Sequence, residues 1–287
     1  MTLLALGLVL LSAFFHATWN LFAKRSSGGV PFVWLFDTVS VLIYLPLVVL
    51  SLIYQPTPFG LPQLALVLGS SLLHLGYFLS LQRGYREGDL SLIYPLARGT
   101  GPLLSVLVAV LVFGERPTPL ALVGAGLIIV SVFVFVGGTA LFRGGAGAQK
   151  AIRFGLITGV FIAAYTLFDK LSVSVFLIPP LLYTSLGTAG RALLTTPLAL
   201  RQWDQVKLEW REHRAAVFAV AILSPLAYIL VLYAMTMAPI SYVAPTREVS
   251  ILIGAVMGLH FLREGNVRQR LLAAGIMVAG VVALALG

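Results

Sequence analysis

Residues 91–116 read SLIYPLARGTGPLLSVLVAVLVFGER, and residues 241–264 read SYVAPTREVSILIGAVMGLHFLRE. Each opens on a serine four positions before a proline (Ser91 and Pro95, Ser241 and Pro245). An arginine follows (Arg98, Arg247), then an apolar run closed by Glu115 or Glu264. The same plan is therefore written twice. Working outward, Gly7-Leu8 faces Gly155-Leu156, and Trp19 faces Tyr165. Leu21 to Lys24 faces Leu167 to Lys170, and Ala125-Gly126 faces Ala274-Gly275. Apolar stretches match by chance, but matches in one order at offsets of 146 to 150 point to an internal repeat. The expected units are residues 1–142 and 150–287, with 143–149, rich in glycine, as a flexible linker.

Apolar residues make up 59% of the 287 and charged residues 10%. A water-soluble domain carries about 25% charged residues, so this chain has too few to cover a wet surface. About 20 apolar residues span a bilayer as a helix. Ten such runs are expected, at 3–23, 31–54, 62–82, 90–113, 119–140, 153–171, 176–200, 214–236, 240–262 and 268–286. The fold class is thus all-α: a polytopic membrane protein of ten transmembrane helices in two five-helix repeats. Five is odd, so the second repeat enters the membrane inverted, the plan of secondary transporters with a mid-membrane site between the halves. The uncharged residues 1–23 lack a basic leader and a cleavage motif and read as a first span. Residues 201–214 are polar, with Trp203, Val206 and Trp210 at helical spacing, either a helix at the headgroups or a charged loop.

The formal charge of +9 does not point to nucleic acid, because the basic residues lie between the apolar runs. Connections after odd-numbered spans hold 14 Lys and Arg, and those after even-numbered spans only Arg116 and Lys170. The positive-inside rule places the odd connections in the cytoplasm and both termini outside. Three arginines, Arg98, Arg191 and Arg247, belong to no connection. There is no cysteine, hence no disulfide or thiolate site.

Ser91 to Pro95, Gly114-Glu115-Arg116 and the run from Leu122 through Gly126, with echoes at Ala238 to Pro245, Arg263-Glu264 and Ala274-Gly275, resemble the drug/metabolite transporter superfamily. The nearest likeness is to its EamA-domain exporters, such as amino-acid exporters of the YddG type. His16, Trp19, Asn20 and Lys24 look like the first helix of some members. The second repeat departs from the pattern, with Leu-Arg-Glu in place of Gly-Glu-Arg. The resemblance implies ten helices, two repeats and alternating access. It also implies cytoplasmic termini, opposite to the charge count.

Polar groups inside spans are costly and mark interiors, partners or pathways. His16, Trp19 and Asn20 share one face of the first span, lining either a cavity or an interhelical hydrogen-bond cluster. Trp34 and Asp37 share a face of the second span. Asp37 is a candidate for proton coupling or for a pair with Lys24, Arg25 or another loop arginine. His74 and Tyr77 share a face of the third span, where an imidazole donates to substrate, carries a proton or packs. Tyr94 and Arg98 flank Pro95, and Arg98 is suited to a carboxylate, a phosphate, or an ion pair with Glu248 or Asp37. Pro95 and Pro245 are expected hinges. Arg247 and Glu248 form the matching site in the ninth span, and Glu248 is a third candidate for proton coupling. Tyr165 joins the cavity-facing set. Asp169-Lys170 reads as a snorkelling pair at a membrane edge, and Arg191 and His260 are weaker candidates. No spacing suits a metal, a cofactor or a catalytic triad, and Gly124 and Gly126 read as helix packing.

The expectation is a monomeric inner-membrane exporter of small metabolites, with amino acids, aromatic or hydrophobic ones foremost, favoured by the resemblance. A carrier of sugar phosphates or other organic anions, a carrier of cationic drugs, and a non-transporting scaffold stand as alternatives. The expected partners are a small-molecule substrate and the lipid bilayer.

Overall fold

The computed structural model describes residues 1–23, 26, 29–87, 90–136, 146–262 and 267–287. Among them every regular element is helical. The helices are α1 (Leu3–Ala23), α2 (Gly29–Tyr54), α3 (Leu61–Glu87), α4 (Leu90–Leu111), α5 (Pro119–Val136) and α6 (Ala146–Ser174). They continue with α7 (Pro180–Arg201), α8 (Trp203–Met237), α9 (Ile240–Thr246), α10 (Val249–Leu262) and α11 (Val267–Leu286). Lipid offers backbone groups no partner, so a helix that satisfies its own is the element an apolar chain must form there.

All ten expected spans are present, the ninth as two pieces, α9 and α10. Five helices (α1, α2, α3, α6 and α8) are long and apolar enough to cross a membrane on length and composition alone. α4, α5 and α11 carry shorter apolar runs. α6 starts at Ala146, so the second part of the expected linker 143–149 is helical; residues 143–145 lie outside the described residues.

Side chains are sorted inside out relative to a soluble fold. Leu42, Leu72 and Leu193 are more than half exposed, whereas Asp37, Asp169 and Glu248 are buried. That suits an apolar solvent outside and a polar interior.

The halves α1–α5 and α6–α11 exchange partners. α1 packs on α8 and α10, and in the same way α6 packs on α3 and α4. α2 meets α7, α4 meets α9, and α5 meets α11. Each of these contacts has its counterpart when the halves are interchanged, as two related repeats about one axis require. The α5–α11 crossing is backbone against backbone. A Cβ added at Gly124 would lie 2.7 Å from the Gly280 carbonyl oxygen, and one at Gly280 would lie 2.8 Å from that of Gly124. Gly126, also expected at a packing face, has open space where its Cβ would be.

The two prolines expected as hinges differ. Pro245 has no N–H, so the bond to the Ser241 carbonyl cannot form. The chain then tightens: Glu248 N donates to Pro245 O (3.0 Å), Ser250 N to Arg247 O (3.1 Å) and Ile251 N to Glu248 O (2.9 Å). These three-residue bonds overwind the ninth span between α9 and α10, as at functional hinges. Pro95 lies within α4, which is not interrupted there.

α8 also bends. His213 has non-helical angles (φ −122°, ψ 20°), which set residues 203–212 off as a separate helix, the helical of the two readings of that stretch. Its apolar face is not the expected one, however. Val206 and Glu209 are buried while Trp203 and Trp210 are exposed. Glu209 Oε2 lies 3.0 Å from His213 Nδ1, and Trp203 meets Trp34 edge-on.

Candidate functional site

The three arginines outside the connections all turn to the interior. Arg98, on α4, puts Nε 3.0 Å from Glu248 Oε2, and its Nη2 donates to Ser250 Oγ at 3.0 Å. This is the ion pair between halves that the repeat offset anticipated. Arg191, on α7, grips Asp37 of α2 with both Nη2 (2.7 Å) and Nε (3.2 Å). Asp37 therefore pairs with an arginine of the interior, because α2 and α7 pack face to face; Lys24 and Arg25, the other expected partners, lie outside the described residues.

Arg247 differs. Its guanidinium lies over the Tyr228 ring, 5.6 Å from the centroid. Among the described residues no carboxylate lies within salt-bridge distance of it. A cation on an aromatic face keeps its charge and donors available to a ligand.

Asp169 is no membrane-edge residue. It is fully buried and makes four polar contacts with three other helices. Ser70 Oγ and Tyr183 OH donate to Oδ1, each at 2.7 Å. His74 Nε2 lies 3.0 Å from Oδ2, which also accepts from Tyr228 OH. The neighbouring Lys170 points elsewhere. Its Nζ donates to the carbonyls of Met235 and Ala238 (3.1 Å to the latter), at the carbonyl end of α8, where a cation suits the helix dipole. The snorkelling pair expected of Asp169 and Lys170 is thus split, since adjacent helical residues point about 100° apart.

An aromatic cluster surrounds this carboxylate. His74 stacks on Tyr165 with centroids 4.1 Å apart and meets Tyr228 edge-on at 5.4 Å. Tyr77 meets Tyr165 at 5.8 Å. His16 and Trp19 pack edge-to-face at 5.0 Å on α1, and the charges of Arg98 and Arg247 reach His16. Trp19 Nε1 is buried without an acceptor among the described residues. A buried donor without a partner calls for an explanation, and a ligand is one.

Of the residues singled out from sequence, His16, Trp19, His74, Tyr77, Arg98, Tyr165, Arg247 and Glu248 converge on this interior. Asn20 does not: it is exposed and donates to the His16 carbonyl of its own helix at 2.6 Å. Trp34 is spent on Thr196 Oγ1 at 3.0 Å. The side chains of Tyr94, Pro95 and His260 lie outside the described residues, as does Glu264. Sequence reading missed Tyr228, Tyr183 and Ser70. It also missed that Glu115 accepts from Ile240 N (2.8 Å), Ser241 N (2.9 Å) and Ser241 Oγ (2.7 Å), capping α9 from the other half. Its duplicated position was the available signal.

Two inverted five-helix units around a charged and aromatic interior define a membrane carrier. The model of the EamA-like transporter family matches residues 3–137 and 149–286, one copy per half, and the chain belongs to that family. It is accordingly a multi-pass membrane protein. A protein of known crystal structure is 15% identical and superposes over 98% of each chain with a TM-score of 0.78, a likeness of fold alone. No curated protein matches.

Proposed function

We propose that this chain exports small amphipathic metabolites bearing a carboxylate, with aromatic and large apolar amino acids foremost, by alternating access between its halves. The observation that carries this reading is Arg247, a half-buried cation with an aromatic face beneath it and no carboxylate within salt-bridge distance among the described residues. A substrate carboxylate completes it, and Tyr228, Tyr165, Tyr77 and Trp19 offer an apolar side chain somewhere to stack.

Organic phosphates are the second anionic class, and Arg98 and Arg247 both act on His16. Glu248 already neutralises Arg98, which leaves one cation to spare and favours the singly charged ligand. Cationic drugs fit less well, because Asp37, Asp169 and Glu248 are each engaged. The hinge after Pro245 adjoins the Arg98–Glu248 pair, so parting the pair and bending the ninth span form one movement. The driving force in this reading is a gradient. We place the protein in the inner membrane as a monomer, odd connections inward, because one chain supplies both repeats and the basic residues crowd that side.

Flux into proteoliposomes with labelled amino acids, a sugar phosphate and a lipophilic cation tests the proposal. Saturable amino-acid flux reduced by Arg247→Ala supports it. Flux of the phosphate or the cation alone replaces it with the corresponding alternative, and no flux of any solute leaves a scaffold.

A further inference from the structure

We propose that His74 is a proton-binding site at which a proton and the ammonium group of the substrate exclude one another, with Asp169 as the fixed counter-ion. The inference rests on the transport reading above and adds its coupling. It starts from the charge arrangement. Asp37 has Arg191 and Glu248 has Arg98, each in direct contact. Of the carboxylates around the aromatic cluster, Asp169 has His74 as its cationic partner among the described residues, and Arg247 has no carboxylate within salt-bridge distance among them. Tyr228 joins them, its ring beneath Arg247 and its hydroxyl on Asp169.

Asp169 accepts hydrogen bonds from Ser70 and Tyr183 on Oδ1 and from Tyr228 on Oδ2, and Oδ2 also faces His74 Nε2. The hydroxyls of Ser70, Tyr183 and Tyr228 donate and leave the carboxylate as acceptor toward its fourth contact. His74 Nε2 therefore carries the hydrogen that points at Oδ2, and Nδ1 holds the basic lone pair. Nδ1 has no partner among the described residues, and the side chain is 16% exposed. A proton arriving through interior water bonds to Nδ1 and turns the ring into a cation. Asp169 compensates a charge that would otherwise be expensive there.

The other groups facing His74 do not serve in its place. From α2 comes Asp37, already held by Arg191 of α7. From α6 come Asp169 and Tyr165, from α7 Tyr183, and from α8 Tyr228. Tyr77 lies on its own helix. Arg247 reaches Tyr165 and Tyr228 from the ninth span.

The Tyr228 ring touches both ends of the arrangement. An amino acid with its carboxylate on Arg247 brings its ammonium toward the Asp169–His74 pair, where the lone pair of Nδ1 accepts it. A protonated Nδ1 repels the same ammonium. Substrate binding then releases the proton, and protonation releases the substrate, which is exchange in opposite directions.

The test has two arms. In proteoliposomes at zero membrane potential, a pH gradient should drive wild-type amino-acid accumulation from the alkaline to the acidic side. One-proton exchange limits this to about tenfold per pH unit. The ratio of flux with the gradient to flux without should fall to unity in His74→Gln, whatever the flux that remains. The second arm uses wild-type protein in detergent and a pH indicator. Adding the amino acid should release protons in weakly buffered solution, and adding the same acid without its amino group should not. Gradient-insensitive flux in wild type, an unchanged ratio in His74→Gln, or no proton release each overturns the proposal, while leaving transport itself intact. Absent flux in wild type under every gradient overturns the transport reading instead.

Discussion

Arg98 and Glu248 occupy equivalent places in the two repeats, at the same offset as Ser91 and Ser241, and bind each other at 3.0 Å. A pair made from one position and its own image lies on the axis that relates the halves. The pair is buried, so it restrains the halves only while both charges are present. Removing one partner of a buried ion pair costs about 3–5 kcal/mol. Glu248→Ala should lower stability in detergent by an amount of that order, and the exchange of the two residues, Arg98→Glu with Glu248→Arg, should recover most of it. A double exchange no more stable than the single variants would show that the axial position does not matter.

Arg247 should govern affinity more than stability. A hydrogen bond to a charged group contributes about 1.5–3 kcal/mol, so Arg247→Ala should weaken apparent substrate affinity by about 10- to 100-fold. Arg247→Lys keeps the charge and loses the planar fork, so it should fall between. Competition assays with a substrate and its carboxamide separate the two effects. Discrimination between them should vanish in Arg247→Ala, and its survival there would move the carboxylate site elsewhere.

The Asp37–Arg191 pair joins α2 to α7 through two hydrogen bonds, with Asp37 buried. Asp37→Ala strands a cation among helices and should destabilise by about 3 kcal/mol or more. Asp37→Ala with Arg191→Ala should cost less than the sum of the single changes, measured as a double-mutant cycle on thermal unfolding.

Glu115 takes up the first amides of α9, a helix too short to stand without such help. Glu115→Ala should speed hydrogen exchange at Ile240 and Ser241 and loosen α9 by about 2 kcal/mol. The effect should be confined to that junction. Equal acceleration across α8 would mean that global unfolding, and not the cap, was being read.

The chain has no cysteine, so single cysteines report cleanly. Gln205→Cys, after the seventh span, should label only from the cytoplasm, and Gln55→Cys, after the second, only from outside. The reverse pattern would give both termini to the cytoplasm.

The spans were legible because apolar runs of bilayer length leave a chain few options, and the repeat was legible because its serines, prolines and acidic residues recur in order. The Arg98–Glu248 pair was one of the alternatives that offset offered for Arg98. Asp169 was misread for a physical reason. Next to Lys170 near the end of an apolar run it looks peripheral, but α6 extends to Ser174 and carries the carboxylate inward. Its donors Ser70, Tyr183 and Tyr228 come from three other helices, and nothing in local spacing announces them. Asp37 and Arg191 likewise meet only because α2 packs on α7, a fact of tertiary arrangement and not of either sequence stretch.

The exchange of partners between halves, α1 on α8 and α6 on α3 and α4, has a consequence for biosynthesis. When the fifth helix leaves the ribosome, α1 and α3 still lack the surfaces they are shaped to meet, and Arg98 has no counter-charge. The nascent first half must wait in the bilayer, unfinished, until the second is threaded in upside down. Neither half expressed alone should be a stable product, and coexpressed halves should rescue each other.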